Sequence, residues 1–366
     1  MSYTSVSSPK RVLISPLNWG IGHATRCIPV IKALQQKGID VVVASDGEAL
    51  EVLKKEFPNI EVVETPSYNV HYKGKSFLFG LFLQLPKIAL TIFREHIWIK
   101  KNIKRLNIQG IISDNRYGMY HHSIPCCFIS HQLIISVPLG KIIEKAANLL
   151  LGLCIRHFKF IWVPDYAGEP NLSGKLSHGS AWNPTFIGPL SRFERLEPKP
   201  ELKWDYVAVI SGPEPQRTNL EHLLIKQSKA LPLRGLLVLG KPKEPLKHEQ
   251  ISDTVESYSF MKGDELSRNI QAAEVVFSRS GYSTVMDLSV LGVKAGFVPT
   301  PGQTEQEYLA KLYEKQNLYP TQSQSEFNLG ELLERAKGYK GTHLKHDLNE
   351  FNSAVESFIE AVKKPL

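Results

Sequence analysis

Between Val276 and Ala310 the chain reads VFSRSGYSTVMDLSVLGVKAGFVPTPGQTEQEYLA, and this stretch restricts the fold more tightly than the rest. A short apolar strand at 275–277 runs into the turn Ser278-Arg279-Ser280-Gly281, and a helix opens at Ser283 or Thr284. A second strand covers Ala295 to Pro299, and a polar loop then starts another helix. This is a β-α-β unit with two helix N-termini on one edge. The first N–H groups of a helix lack partners and its dipole favours negative charge there, so such an edge suits a phosphorylated ligand. Gly281 lets backbone approach closely, Ser283 and Thr284 add hydroxyls, and Arg279 can pair with a phosphate. Thr284 and Asp287 lie three apart on one helix face, which makes Asp287 the candidate for two ribose hydroxyls. Glu305-Gln306 sets an acceptor beside an amide donor, the combination that sugar hydroxyls need. The stretch reads as a nucleotide-sugar cradle.

The N-terminal region repeats the logic. Arg11 to Ser15 is a buried-strand run, PLNWGIGHATR a glycine turn, and Cys27 to Leu34 an amphipathic helix closed near Gly38 before the strand Val41 to Ala44. This is the first β-α-β of a doubly wound sheet, with Gly20-Ile21-Gly22-His23 at the carboxyl end of its first strand. Gly20-x-Gly22 with Asp46 half-matches a dinucleotide fingerprint, but Thr25 stands where the third glycine belongs. His23, whose unperturbed pKa is about 6.5, suits a general base if a carboxylate orients it. It could equally donate to a phosphate or cap the helix. Asp114 ends the strand Ile108 to Ser113 and reads either as that carboxylate or as a loop cap; His131 is a weaker candidate base. Adjacent His121 and His122 diverge in a helix or a strand, so no metal site is expected there.

Net charge is +8, and between Val70 and Arg105 eight Lys/Arg stand against Glu95 alone. The run Phe77 to Phe93 is broken by Gln84, Pro86 and Lys87, too polar for a membrane span of about twenty apolar residues. It reads as a core helix pair or as an interfacial patch that meets anionic headgroups. Ile142 to Phe160 gives a second apolar helix, expected in the core with a solvated rim. The 366 residues suffice for two domains, and the four cysteines form no C-x-x-C pair. Reduced thiols and no apolar leader run point to a cytoplasmic protein. A hinge is expected where Ile187-Gly188-Pro189-Leu190 meets the charged, proline-rich SRFERLEPKPELK.

The pattern RSGYSTVMDLSVLG…PTPGQTEQEY resembles the donor region of inverting glycosyltransferases, and is most similar to glycosyltransferase family 28, which includes the peptidoglycan N-acetylglucosaminyltransferase. The resemblance implies an α/β chain of the GT-B fold, two Rossmann-like doubly wound domains facing across a cleft. Residues 1–190 would bind the acceptor and 191–345 the nucleotide sugar, with 346–366 a helix that the resemblance places back on the N-terminal domain and that the sequence alone could equally place on the second. In that family a Gly-Ser/Thr turn holds the phosphates, an acid one turn later the ribose, and an acid-amide or amide pair the sugar. Here these roles fall to Gly281 to Thr284, Asp287 and Glu305-Gln306, with Asp where the family often has Glu. The resemblance also implies that Gly22 faces substrate, that Ser211, Gly212 and Arg217 contact diphosphate, and that the backbone around Phe260 to Lys262 reads uracil. Pro213 and Pro215 remove donors a phosphate loop would want, so that loop also reads as an ordinary turn. A His23–Asp114 pair would resemble the dyad of plant-type inverting transferases.

The expected reaction moves a sugar from a nucleotide diphosphate, of the UDP type by resemblance, to a hydroxyl acceptor. A lipid-linked acceptor would suit docking of 70–105 on an anionic membrane surface. No Asp-x-Asp stands at a strand end, so no metal or other cofactor is expected, and no nucleic-acid partner. A nucleotide-sugar epimerase on the same scaffold and a non-catalytic nucleotide-sugar-binding subunit remain the alternatives.

Overall fold

The computed structural model describes residues 10–69, 84–135, 140–241, 244–342 and 347–364. The chain forms two compact units, the first running to Leu190 and taking in the last segment from Asp347, the second covering Ser191 to His346.

The first unit opens with β1 (Arg11–Pro16), α1 (Gly22–Gln36), β2 (Asp40–Ser45), α2 (Gly47–Glu56) and β3 (Glu61–Glu64). It continues through α3 (Leu85–Asn102), β4 (Gly110–Asp114), β5 (Cys126–Ile129), α4 (Lys141–Ile155), β6 (Phe160–Val163) and β7 (Thr185–Phe186). The strands form one parallel sheet in the order β3-β2-β1-β4-β5-β6-β7. Strands buried on both faces need apolar runs, and Val12, Leu13, Ile14, Val42, Val43, Ile111 and Ile112 are fully buried. The strand order reverses between β1 and β4, and ligands of such sheets bind beyond the strand ends at that point. Asp114 is the last residue of β4, and the glycine turn follows β1 directly.

The second unit holds β8 (Trp204–Val209), α5 (Gln216–Ser228), β9 (Gly235–Val238), β10 (His248–Ser252), β11 (Val255–Tyr258), α6 (Gly263–Gln271) and β12 (Ala273–Ser278). After these come α7 (Tyr282–Leu291), β13 (Ala295–Phe297), α8 (Thr304–Lys315) and α9 (Leu329–Gly338). Its sheet runs β10-β11-β9-β8-β12-β13, parallel except for the β10–β11 hairpin. The reversal here lies between β8 and β12, whose ends lead into Gly212 and Arg279.

The last helix, α10 (Asn349–Lys363), returns to the first unit. Phe358 lies edge-on to Phe160 and Trp162, and a Cβ on Gly110 would come within 2.7 Å of Val362 and 3.1 Å of Phe358. Gly110 is therefore what lets α10 lie against β4, and Phe358→Ala would cost about 3–5 kcal/mol.

Two expectations for the apolar segments change. The part of the basic segment at 70–83 lies outside the described residues. The adjoining helix, α3, is not a core helix: it buries Thr91, Glu95 and Ile99, while Leu85, Leu90, Phe93 and Ile97 are exposed. The cause is Glu95, which accepts from Arg116 Nε at 2.7 Å, Tyr68 Oη at 2.9 Å and Gly118 N at 3.0 Å, and so turns the polar stripe inward. Nor is α4 a core helix, for it buries only Leu151 and Ile155. Asn148 is tied to both the N–H and the carbonyl of Ile135 at 2.8 Å, which leaves Ile142, Leu149 and Leu150 outward, each more than 60% exposed.

Candidate functional site

In the first unit, His23 and Arg26 lie in the first turns of α1, three residues apart and hence on one face. His23 Nδ1 lies 2.9 Å from Asp114 Oδ1. Arg26 grips the same carboxylate through Nε, 2.5 Å from Oδ2, and through Nη2 on Oδ1. Nη2 also lies 2.9 Å from His23 Nδ1, and Nη1 lies 3.1 Å from His131 Nδ1. Cys27 adds a thiol 3.7 Å from Oδ2. Asp114, Arg26 and Cys27 are buried, whereas the His23 side chain keeps about 15% of its surface open.

Burial alone would raise the Asp114 carboxyl, but the Arg26 charge and His23 outweigh it and hold the group far below the ordinary carboxylate range. The His23 imidazole ends below its ordinary value because burial lowers it; Asp114 pulls it up and Arg26 pushes it down again. With Nδ1 occupied, Nε2 is the nitrogen left to meet a substrate. A hydroxyl proton could be taken there, as general-base chemistry requires.

The dinucleotide reading fails on Asp46. Its Oδ1 accepts from Arg116 Nη1 at 2.9 Å and its Oδ2 from Asn18 Nδ2 at 3.1 Å. Asn18 belongs to the glycine turn, so Asp46 braces that turn and does not await a ribose. Arg116 completes the brace by joining Asp46 to the buried Glu95.

In the second unit the starts of α7 and α8 adjoin. Gly281 is the N-cap of α7, Ser280 Oγ donates to Gln306 O at 2.8 Å, and Gln306 Oε1 accepts from Thr300 N at 2.9 Å. Glu305 and Gln306 both sit in the first turn of α8, and Ser283 and Thr284 in that of α7, partly exposed. Arg279 is 1% exposed and donates to Val298 O, Pro299 O, Gln216 O and Gln324 Oε1. Among the described residues no carboxylate neutralises it, and burial lowers its guanidinium to about 10. Arg279 Nε and Thr300 Oγ1 are buried without a hydrogen-bond partner among the described residues. Both lie beside Gly212, whose φ of +112° suits glycine; a Cβ there would stand 3.4 Å from Thr300 Oγ1 and 3.9 Å from Arg279 Nε. Ser211 and Gly212 are exposed on that loop.

Arg217 is engaged elsewhere. Its guanidinium bonds Glu214 Oε1 and Glu221 Oε2, each at 2.6 Å, and Leu239 O at 3.2 Å, so it is already neutralised. Asp287 Oδ1 accepts from Ser191 Oγ at 2.6 Å, and burial raises the carboxyl to about 6 against the pull of Ser191 and Arg192. Phe260 and Lys262 lie between β11 and α6, where the Gly263 Cβ position is 3.9 Å from Arg192 Nη1. Sequence reasoning missed Arg26, Thr300, Ser191 and Arg192. Only Arg26 left a signal, its three-residue spacing from His23.

Residues 216–363 match the glycosyltransferase family 28 C-terminal domain. An uncharacterized glycosyltransferase of Methanosarcina mazei is 23% identical over 326 residues, covering 84% of each chain. The UDP-N-acetylglucosamine–N-acetylmuramyl-(pentapeptide) pyrophosphoryl-undecaprenol N-acetylglucosamine transferase of Methylobacterium radiotolerans is 25% identical, covering 79% of this chain and 77% of that one. Among solved structures, Acinetobacter baumannii MurG aligns over 96% of this chain and 100% of its own at 16% identity and a TM-score of 0.55. Spinosyn rhamnosyltransferase SpnG complexed with thymidine diphosphate covers 96% of each chain at 14% identity and a TM-score of 0.59.

Proposed function

The chain is a family-28-like glycosyltransferase of the GT-B fold, and from that premise we propose that it transfers a sugar, with inversion, from a nucleoside diphosphate donor to a hydroxyl acceptor. The observation that carries this reading is Arg279: a buried cation with no carboxylate partner among the described residues, its Nε unpaired and, like Thr300 Oγ1, close to Gly212, just before the start of α7. A buried charge and two unmet donors are costly alone and favourable with an anion between them.

In this reading His23 Nε2 takes the acceptor proton as the oxygen attacks the anomeric carbon. The diphosphate leaves from the opposite face, which inverts the configuration. Arg279 Nε, Thr300 Oγ1 and the first N–H groups of α7 receive its charge. Asp287 holds the ribose, Gln306 with Glu305 the sugar, and the backbone near Phe260 the base. No divalent ion is required, so chelator should leave the rate unchanged.

The test is a thermal-shift series with UDP, GDP and dTDP and their sugars, since a ligand of the native state raises the melting temperature with occupancy. UDP is the expected best nucleotide; no shift from any of them at millimolar concentration removes the reading. Anomeric analysis of product then separates transfer from epimerisation, which would alter the donor sugar without any acceptor.

The acceptor side favours a lipid-linked substrate at the cytoplasmic face of a membrane. Phe93, Leu90, Ile142, Leu149 and Leu150 are exposed on α3 and α4, flanked by Lys87, Arg94, Lys100, Lys141 and Lys145. Apolar side chains ringed by cations suit an anionic bilayer surface, and the Methylobacterium relative is named for an undecaprenol-linked acceptor. No helix among the described residues is long and apolar enough to cross a membrane. Flotation with anionic vesicles should recover the protein at low salt and lose it for Phe93→Glu/Leu150→Glu; absence of flotation would end the membrane idea.

A further inference from the structure

Arg26 is a residue that neither the sugar-transfer reading nor the spacing of the glycine turn assigns. A carboxylate paired with histidine ordinarily favours the imidazolium. A protonated histidine cannot take the acceptor's proton. Burial already disfavours the imidazolium, and against the pull of Asp114 the Arg26 side chain is placed to add to that effect. Arg26 binds both oxygens of Asp114 and sets Nη2 2.9 Å from His23 Nδ1. With the Nδ1 hydrogen given to Asp114, Nη2 meets the ring as a cation and not as a donor, so the charge gained when Nε2 takes a proton lies beside a guanidinium.

We propose that Arg26 is a positioning residue that keeps His23 uncharged, and so able to accept a proton, against the pull of Asp114. The inference rests on the sugar-transfer reading for its purpose but not for its test. The charged and titratable groups around His23 are Arg26 and Cys27 of α1, Asp114 of β4, His131 of the loop after β5 and, beside Asp114, Tyr117. Arg26 touches His23, Asp114 and His131 at once.

The test is an NMR titration of His23 in ligand-free protein labelled at histidine, assigned with His23→Gln. Removing Arg26 as R26Q should move the His23 midpoint up by about one pH unit or more. D114N should move it down, because Arg26 then acts unopposed. R26K, which keeps the cation, should return the midpoint towards that of the wild type. R26Q leaves Asp114 buried with less compensation, and if it does not fold, the double variant R26Q/D114N, which buries no net charge, decides: its midpoint must lie above that of D114N alone. An unchanged midpoint in R26Q, or a double variant that titrates with D114N, overturns the proposal. A merely structural arginine would not produce shifts of opposite sign at two partners. In an active enzyme the acid limb of kcat/KM should follow the same order. If the titration pattern holds but no sugar is transferred, the transfer reading fails and Arg26 keeps its role as the residue that sets the charge of His23.

Discussion

The two units carry sites of opposite character. In the first, the buried ionic groups are already closed on one another: Asp114 meets His23, Arg26 and Cys27, and Arg26 reaches on to His131. In the second, among the described residues, a buried arginine has no anion and two donors have no acceptor. The carboxylates differ in the same way. Asp114 is held far below its ordinary range by a cation in contact, whereas Asp287 has a serine for company and rises to about 6. A group that must act at one moment of a reaction is wired beforehand, while a surface that must grip a ligand leaves its hydrogen bonds incomplete until the ligand supplies them.

The contrast breaks first at His23. His23→Ala should lower kcat by roughly a hundredfold or more while leaving donor affinity alone, since general-base contributions run at about 10²–10⁴. Equal losses in binding and turnover would move His23 into the donor cradle. Next in size is Arg279→Lys, which keeps charge but removes Nε. A hydrogen bond to a charged group is worth about 1.5–3 kcal/mol, so the donor's dissociation constant should rise about tenfold or more by calorimetry. Thr300→Val retains the shape and drops one neutral donor, for a loss of about 0.5–1.5 kcal/mol, a few-fold in the same measurement. An unchanged affinity in both would leave the orphan donors unexplained by a nucleotide.

The smallest effects are those of pH, and their signs oppose. Asp114 is more acidic folded than unfolded, so its contribution to stability is present above about pH 4 and is lost as acid protonates it. Asp287 is less acidic folded, so the native state binds the extra proton between about pH 4 and 6, and stability falls as pH rises through that window. Denaturant titrations of D114N and D287N should remove slopes of opposite sign. Donor affinity should weaken below about pH 6, because protonation takes from Asp287 an acceptor that the ribose needs; D287N should flatten that dependence.

The parallel strands and the start of α7 were legible because apolar runs and glycine turns mark them directly, but α1 begins at Gly22, five residues before the expected Cys27, so that Gly22 and His23 are helical and not part of a turn. The β-α-β from Ala273 to Phe297 lies where the period placed it, and α7 opens one residue before Ser283. The hairpin partner β10 was missed, for HEQIS is polar, exposed and pairs only on one side. Arg279, Gly212 and Thr300 meet only because three loops converge, and no spacing reports that. Arg217 misled for the reverse reason: an arginine before a helix suggests an anion, and the sequence does not show that Glu214 and Glu221 reach it first. The orientations of α3 and α4 were hidden because apolar content says how much oil a helix carries and not which way a single buried Glu95 or Asn148 turns it.

The seating of α10 on Gly110 bears on how the protein is made. The strand that ends in Asp114 waits, during synthesis, for a helix encoded more than two hundred residues later, so the first unit stays unfinished while the second is already emerging from the ribosome. A fragment cut at the hinge would lack that closing piece, and its bare patch around Gly110, Phe160 and Trp162 would make it a client for chaperones; supplying 347–364 through a short fused linker should restore its solubility.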